Sequence, residues 1–143
     1  MKFCEIEFGT PDFDEAVKLR YRVLKEPLGI DFTAEQLAEE FDQIHLAAFT
    51  EGYSLCAYLL LTPHTEKTIQ MRQVAVEPAL QKKGIGKNLV AYSESWCIQH
   101  GYNEMILHAR DTSVPFYLKL GYKKSGKPFE EVGLDHWLMK KTI

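Results

Sequence analysis

The run from residue 68 to residue 101 restricts the fold most: TIQMRQVAV, then EPAL, then QKKGIGK, then NLVAYSESWCIQHG. The first piece predicts a strand over 68–76. The last predicts a helix over 87–100, because Leu89, Val90, Ser93, Trp96 and Cys97 fall on one helical face. Gly101 suits the position just past its end. The turn between them holds two glycines, three lysines and no acid in seven residues. A strand delivered through such a turn into an amphipathic helix belongs to a layered architecture of sheet and helix.

The remaining pattern extends that architecture in both directions. Residues 2–8 alternate as a strand. Thr10 and Pro11 mark a helix start, with Asp12, Asp14 and Glu15 near its positive end. That helix carries Phe13, Ala16, Val17, Tyr21 and Leu24 on one face and is expected to run until Pro27 and Gly29. Thr33 and Gln36 have the spacing of a capping box before a second, short helix. Strands over 44–51 and 53–61 meet at Gly52, and 63–66 reads as a turn. A strand over 104–110, a short helix over 114–121, a weak strand over 122–127 and a last strand over 133–141 complete the order. The expected fold is mixed α/β (α+β): a central, mostly antiparallel twisted sheet with helices on both faces. Residues 1–143 read as one domain, with no repeat, linker or low-complexity tract.

Composition excludes several classes of partner. The formal net charge is −3, so a broad grip on nucleic acid is not expected. MKFCEIEFG carries acids and lacks a long apolar stretch, unlike a signal peptide, and LCAYLLL is too short to span a bilayer. The expectation is a cytoplasmic protein without a membrane partner. Cys4, Cys56 and Cys97 form no C-x-x-C pair, so neither disulfides nor a metal site is expected. G-x-S-x-G and H-E-x-x-H are absent, which argues against a serine hydrolase or a zinc enzyme.

The basic cluster at 81–87 is therefore local and suits a small anion. Unpaired N–H groups at a helix start favour negative charge. Gly84 and Gly86 let the backbone come close or take positive φ, and Lys82, Lys83 and Lys87 add charge around Ile85. The competing reading is an ordinary turn with solvated lysines. Two phosphate motifs are excluded: Gln81 and Asn88 stand where G-x-x-x-x-G-K-[ST] needs other residues, and Leu89 stands where G-x-G-x-x-G needs glycine.

RQVAVEPALQKKGIGKNLV resembles the central motif of the GNAT superfamily of acyl-CoA-dependent N-acetyltransferases, with Gln81, Gly84 and Gly86 in place. ILHARDTSVPFYLKLGYKK resembles the family's second motif, through Phe116, Tyr117, Gly121 and Tyr122. GLDHWLMKK resembles the Gly-x-x-His-x-x-Met ending of a small bacterial subgroup. The resemblance spans roughly residues 66–141 and implies acetyl-CoA (coenzyme A) as cosubstrate. It places the pyrophosphate on 81–87 and the pantetheine arm on the backbone of Val74, Ala75 and Val76. It implies an amine acceptor, small-molecule or peptide, and admits a homodimer.

Tyr117 matches the tyrosine that protonates the leaving thiolate; the alternative is a rim aromatic on an amphipathic helix. The family's strand glutamate is replaced by Gln70, which cannot act as a carboxylate base, so the expected path for the amine proton is a water relay to a base the sequence does not name. His136 is a candidate base, weighed against a structural histidine among Leu134 and Leu138, and His108 carries the same ambiguity. His45, His64 and His100 read as turn or surface residues. Arg20, Arg22 and Arg72 are open to an acidic substrate, a solvated face or ion pairs. A Cys–His nucleophile is disfavoured by the inward position of Cys97. The alternative function is a non-catalytic, CoA-binding regulatory module on the same fold.

Overall fold

The computed structural model describes residues 1–143. The strands are β1 (Lys2–Ile6), β2 (Ile44–Phe49), β3 (Leu55–Pro63), β4 (Thr68–Val76), β5 (Glu104–Arg110), β6 (Lys123–Glu131) and β7 (Leu134–Thr142). The helices are α1 (Pro11–Arg20), α2 (Ala34–Ala38), α3 (Ile85–Gln99) and α4 (Val114–Lys119). The strand order is β1-β2-β3-β4-β5-β7-β6. The expected element order and mostly antiparallel sheet are therefore observed. The chain divides into two compact units, Met1–Thr62 with Gln73–Ser93 and Pro63–Arg72 with Glu94–Ile143, so β4 contributes to both.

In the first unit, β1 and β3 both pair antiparallel with β2. Strand β3 is buried at six consecutive positions, as in a strand covered on both faces. Ile6, Ala16, Leu19, Ala47, Phe49, Tyr58, Leu60 and Ala75 form its core. Helix α1 starts where expected: Pro11 opens it, and the Thr10 hydroxyl accepts the Phe13 N–H at 3.3 Å. Its later course differs from the expectation. After Arg20 the chain widens into a π-helical turn, Tyr21–Lys25, and then tightens into a 3₁₀ turn, Glu26–Leu28. Before the turn Leu19 and Arg20 are buried and Val17 is half-buried; the wider turn rotates the side chains within it, and Tyr21 and Leu24 are only half-buried. Helix α2 has both bonds of the Thr33–Gln36 capping box, at 3.0 and 3.1 Å.

Arg20 is fully buried and forks onto Glu40 through two bonds of 2.8 and 2.7 Å. Its guanidinium lies between the rings of Phe32 and Tyr58, at 4.6 and 5.1 Å. His45 is 2% exposed, which corrects its reading as a turn or surface residue. Its Nε2 faces the Glu40 carbonyl at 2.9 Å, and a carbonyl only accepts, so Nε2 carries the proton. Nδ1 then accepts the Tyr58 hydroxyl at 2.7 Å.

In the second unit, the first part of β4 pairs parallel with β5, from Thr68↔Glu104 to Met71↔Leu107. Strand β7 lies antiparallel to both β5 and β6. Strand β6 is longer than the expected 122–127: it runs through Pro128, which an edge strand tolerates, and its register shifts between Ser125 and Phe129. Helix α3, divided between the units after Ser93, begins two residues before its expected start and buries Leu89, Val90, Ser93 and Cys97; Trp96 is half-buried and stacks on His100 at 3.7 Å. The Tyr122 hydroxyl donates to Glu94 at 2.8 Å, and Lys141 Nζ lies 3.0 Å from the same carboxylate. No helix is long and apolar enough to cross a membrane.

Two outcomes follow from the buried network. Glu40→Ala strands the Arg20 charge and should lower folding stability in urea by about 3–5 kcal/mol, whereas Arg20→Met with Glu40→Leu should recover most of the loss. Burial, together with the nearby Arg20 charge, holds the His45 pKa below its ordinary 6.5, so the unfolded chain binds the extra proton. Stability from this group is present above pH 6.5 and is lost as pH falls below it toward the folded pKa. His45→Gln should flatten that part of the stability profile.

Candidate functional site

The first unit holds the end of β4, the glycine turn and the start of α3. Strand β4 leaves its regular course at Gln73, a non-glycine residue with φ +56°. The side-chain Oε1 of Gln73 is buried without a hydrogen-bond partner. Sequence reasoning missed this position, since only a glycine there would have signalled left-handed backbone. Ala75 is buried, with Val74 and Val76 half-buried on either side. The strand end is pinned: Glu77 N–H donates to the Cys56 carbonyl at 2.8 Å, and the Gln81 amide donates to the Val76 carbonyl at 3.1 Å. Gln81 thus braces the turn against the strand.

Within the turn, Lys82 and Gly84 are both left-handed, at φ +67° and +83°. A Cβ on Gly84 would meet nothing within 4 Å, so glycine is required there for its backbone and not for room. The Gly84 carbonyl accepts the Asn88 N–H at 3.0 Å, which starts α3. The N–H groups of Ile85, Gly86 and Lys87 therefore have no helical acceptor. Ile85 is buried and anchors the helix start, while Lys82, Lys83 and Lys87 are exposed and outside any ion pair. Three open donors, three ammonium groups and the positive end of a 15-residue helix suit a polyanionic ligand. Arg22 is committed to Glu77 at 2.8 Å.

The second unit holds the remaining candidates. Gln70 is buried, and its Oε1 accepts from His64 Nε2 at 2.7 Å, so His64 is tied into the strand despite its exposed turn position. Tyr117 lies on α4, buried, with its ring against Phe116 and Tyr122 at centroid distances of 5.0 and 5.8 Å. Burial pushes its phenol pKa up, so the hydroxyl keeps its proton at neutral pH. His136 is 4% exposed and donates Nδ1–H to the Leu134 carbonyl at 2.9 Å. Its Nε2 lies 3.6 Å from Glu131 Oε2, and His108 Nδ1 lies 3.3 Å from Glu131 Oε1. The two histidines, read separately in the sequence, meet on one carboxylate. The missed signal is the two-residue turn at Val132 and Gly133, both left-handed, which sets Glu131 opposite Leu134.

The cysteines are free. Burial raises the Cys4 and Cys56 thiols and pushes Cys97 up to about 12, as inert thiols require. No group of three or more His, Cys, Asp or Glu residues could hold a metal ion.

The family model of the acetyltransferase (GNAT) domain matches residues 22–143. The chain belongs to the GNAT acetyltransferase family. The uncharacterized protein YyaT of Bacillus subtilis is 29% identical over 138 residues, covering 92% of this chain and 90% of that one. Among solved structures, the aminoglycoside 6'-N-acetyltransferase from Enterococcus faecium superposes with a TM-score of 0.81 at 21% identity, over 99% and 97% of the two chains. A GNAT family acetyltransferase from Elizabethkingia anophelis with acetyl-CoA bound gives 0.76 at 17% identity, with the same coverage.

Gly84→Ala tests the geometry of the turn. It should destabilise the fold by about 1–2 kcal/mol through the left-handed backbone alone, read as a lowered thermal midpoint.

Proposed function

We propose that the chain is an N-acetyltransferase that passes an acetyl group from acetyl-CoA directly to a primary amine. The observation that carries this reading is the start of α3: three N–H groups without helical acceptors, ringed by three unpaired lysines, directly after the pinned end of β4. That arrangement fits a pyrophosphate, and the backbone of Val74, Ala75 and Val76 offers donors and acceptors to an extended amide arm. Family membership supports the reaction class, and the neighbour with acetyl-CoA bound supports the cosubstrate. The family model runs through both units, in keeping with a single catalytic domain over residues 1–143.

In the reaction, the amine nitrogen forms a bond to the acyl carbon as the carbon–sulfur bond breaks. Tyr117 gives its proton to the departing thiolate, and the proton that the attacking nitrogen sheds as the amide forms restores the phenol. Burial keeps the phenol protonated at neutral pH, so it has a proton to give. His136 Nε2 takes the amine proton; the Leu134 carbonyl keeps Nδ1 protonated, which leaves Nε2 as the free base in the neutral ring. Gln70, already bonded to His64, supplies no carboxylate.

Thermal unfolding with and without CoA, acetyl-CoA and ATP tests the cosubstrate. A midpoint shift with both CoA species, absent with ATP and lost in Gly86→Val, is the expected result. Tyr117→Phe should lower kcat by about 10²-fold or more while leaving the CoA-induced shift intact. Stabilisation by CoA without thioester consumption across a panel of amines would instead favour a non-catalytic CoA-binding module.

A further inference from the structure

We propose that Glu131 is the docking carboxylate for a cationic acceptor, a primary alkylammonium group, and that it also stabilises the proton His136 takes from that acceptor. The inference rests on the acetyltransferase reading above. Register places Phe129 opposite His136 and Glu131 opposite Leu134, while Arg110 lies opposite His136 on β5. Strand alternation then sets His108, Arg110, Phe129, Glu131 and His136 on one face. The Glu131 side chain is 46% exposed, while that of His136 is 5% exposed.

The decisive feature is a mismatch of lone pairs. The Leu134 carbonyl fixes the His136 proton on Nδ1, so neutral Nε2 presents a lone pair toward Glu131 Oε2 at 3.6 Å. Two acceptors then face each other, too far apart for a direct hydrogen bond. Either a proton on Nε2 or an outside donor resolves the conflict. An ammonium nitrogen ~2.8 Å from each atom reaches both, and it brings three donors. His108 braces the other carboxylate oxygen at 3.3 Å, and the Phe129 ring packs against both imidazoles, at 5.0 and 6.0 Å.

The proton transfer balances inside this cluster. The ammonium N–H bond breaks, an Nε2–H bond forms, and the positive charge moves from substrate to imidazolium beside the same carboxylate. The neutral amine then holds the lone pair needed for attack. Arg110 lies on the same face, and its positive charge opposes the imidazolium. Glu130 and Asp135 pair on the opposite face.

Histidine ring signals in NMR test the proposal, with n-butylammonium as probe and n-butanol as its neutral control. The expected result is a saturable shift of the His108 and His136 signals with the cation alone, at least about tenfold weaker in Glu131→Gln and partly restored in Glu131→Asp. No response in the wild type, or an equal response in Glu131→Gln, would overturn it. The CoA-induced thermal shift is read on the same samples. If it is absent, the acetyltransferase reading fails; if it persists without a histidine response, only the role of Glu131 fails. Glu131→Gln should also raise the KM for cationic amines more than it lowers kcat.

Discussion

Strand β4 has to serve two neighbours, β3 on one side and β5 on the other, and it does so by breaking its own regularity. Its parallel ladder with β5 runs only from Thr68 to Met71, and two residues later Gln73 turns left-handed. Such a conformation in a non-glycine residue costs of the order of 1–3 kcal/mol and persists only where its surroundings over-determine it. Here the strand end is held from outside the strand, by the Glu77–Cys56 and Gln81–Val76 hydrogen bonds. Those bonds fix where the strand stops, and hence where α3 presents its unpaired N–H groups.

Two polar clusters show how the same groups serve opposite ends. In the first unit, Arg20, Glu40, His45 and Tyr58 are buried and linked by hydrogen bonds, with the Arg20 Nε left without a partner. Such a network favours one arrangement and resists change. In the second unit, Glu131 and its two histidines are partly open, and one of their approaches leaves acceptor against acceptor. The closed cluster orders the chain; the open one has capacity left for a proton or a cation.

Much of this was legible in the residues, for physical reasons. Thr10–Pro11 and Thr33–Gln36 announce helix starts because capping depends on near neighbours alone. The limits of β4 and β5 follow from apolar patterning between turn residues. The glycine turn was found because Gly84 marks backbone that other residues avoid. What escaped depends on distant partners or on broken rules. Arg20 is buried because Glu40 lies against it, and no local pattern marks that pair. The π-helical turn after Arg20 shifts the face that a regular helix would bury. Gln73, Lys82 and Val132 adopt left-handed backbone without being glycine. The meeting of His108 and His136 at Glu131 needs the register of three strands at once.

Of the two edge strands, β1 and β6, the second has a bearing on colloidal behaviour. β6 carries Lys123, Lys124, Lys127 and Pro128, and its register slips midway. An edge with those features is a poor template: the proline offers no N–H, the lysines repel a second copy, and the irregular pairing spoils alignment. A chain with so much consecutive apolar sequence in β3 would be at risk of cross-β stacking if that segment were outermost. With β3 interior, the most adhesive segment is sealed, and the β6 rim is guarded by charge.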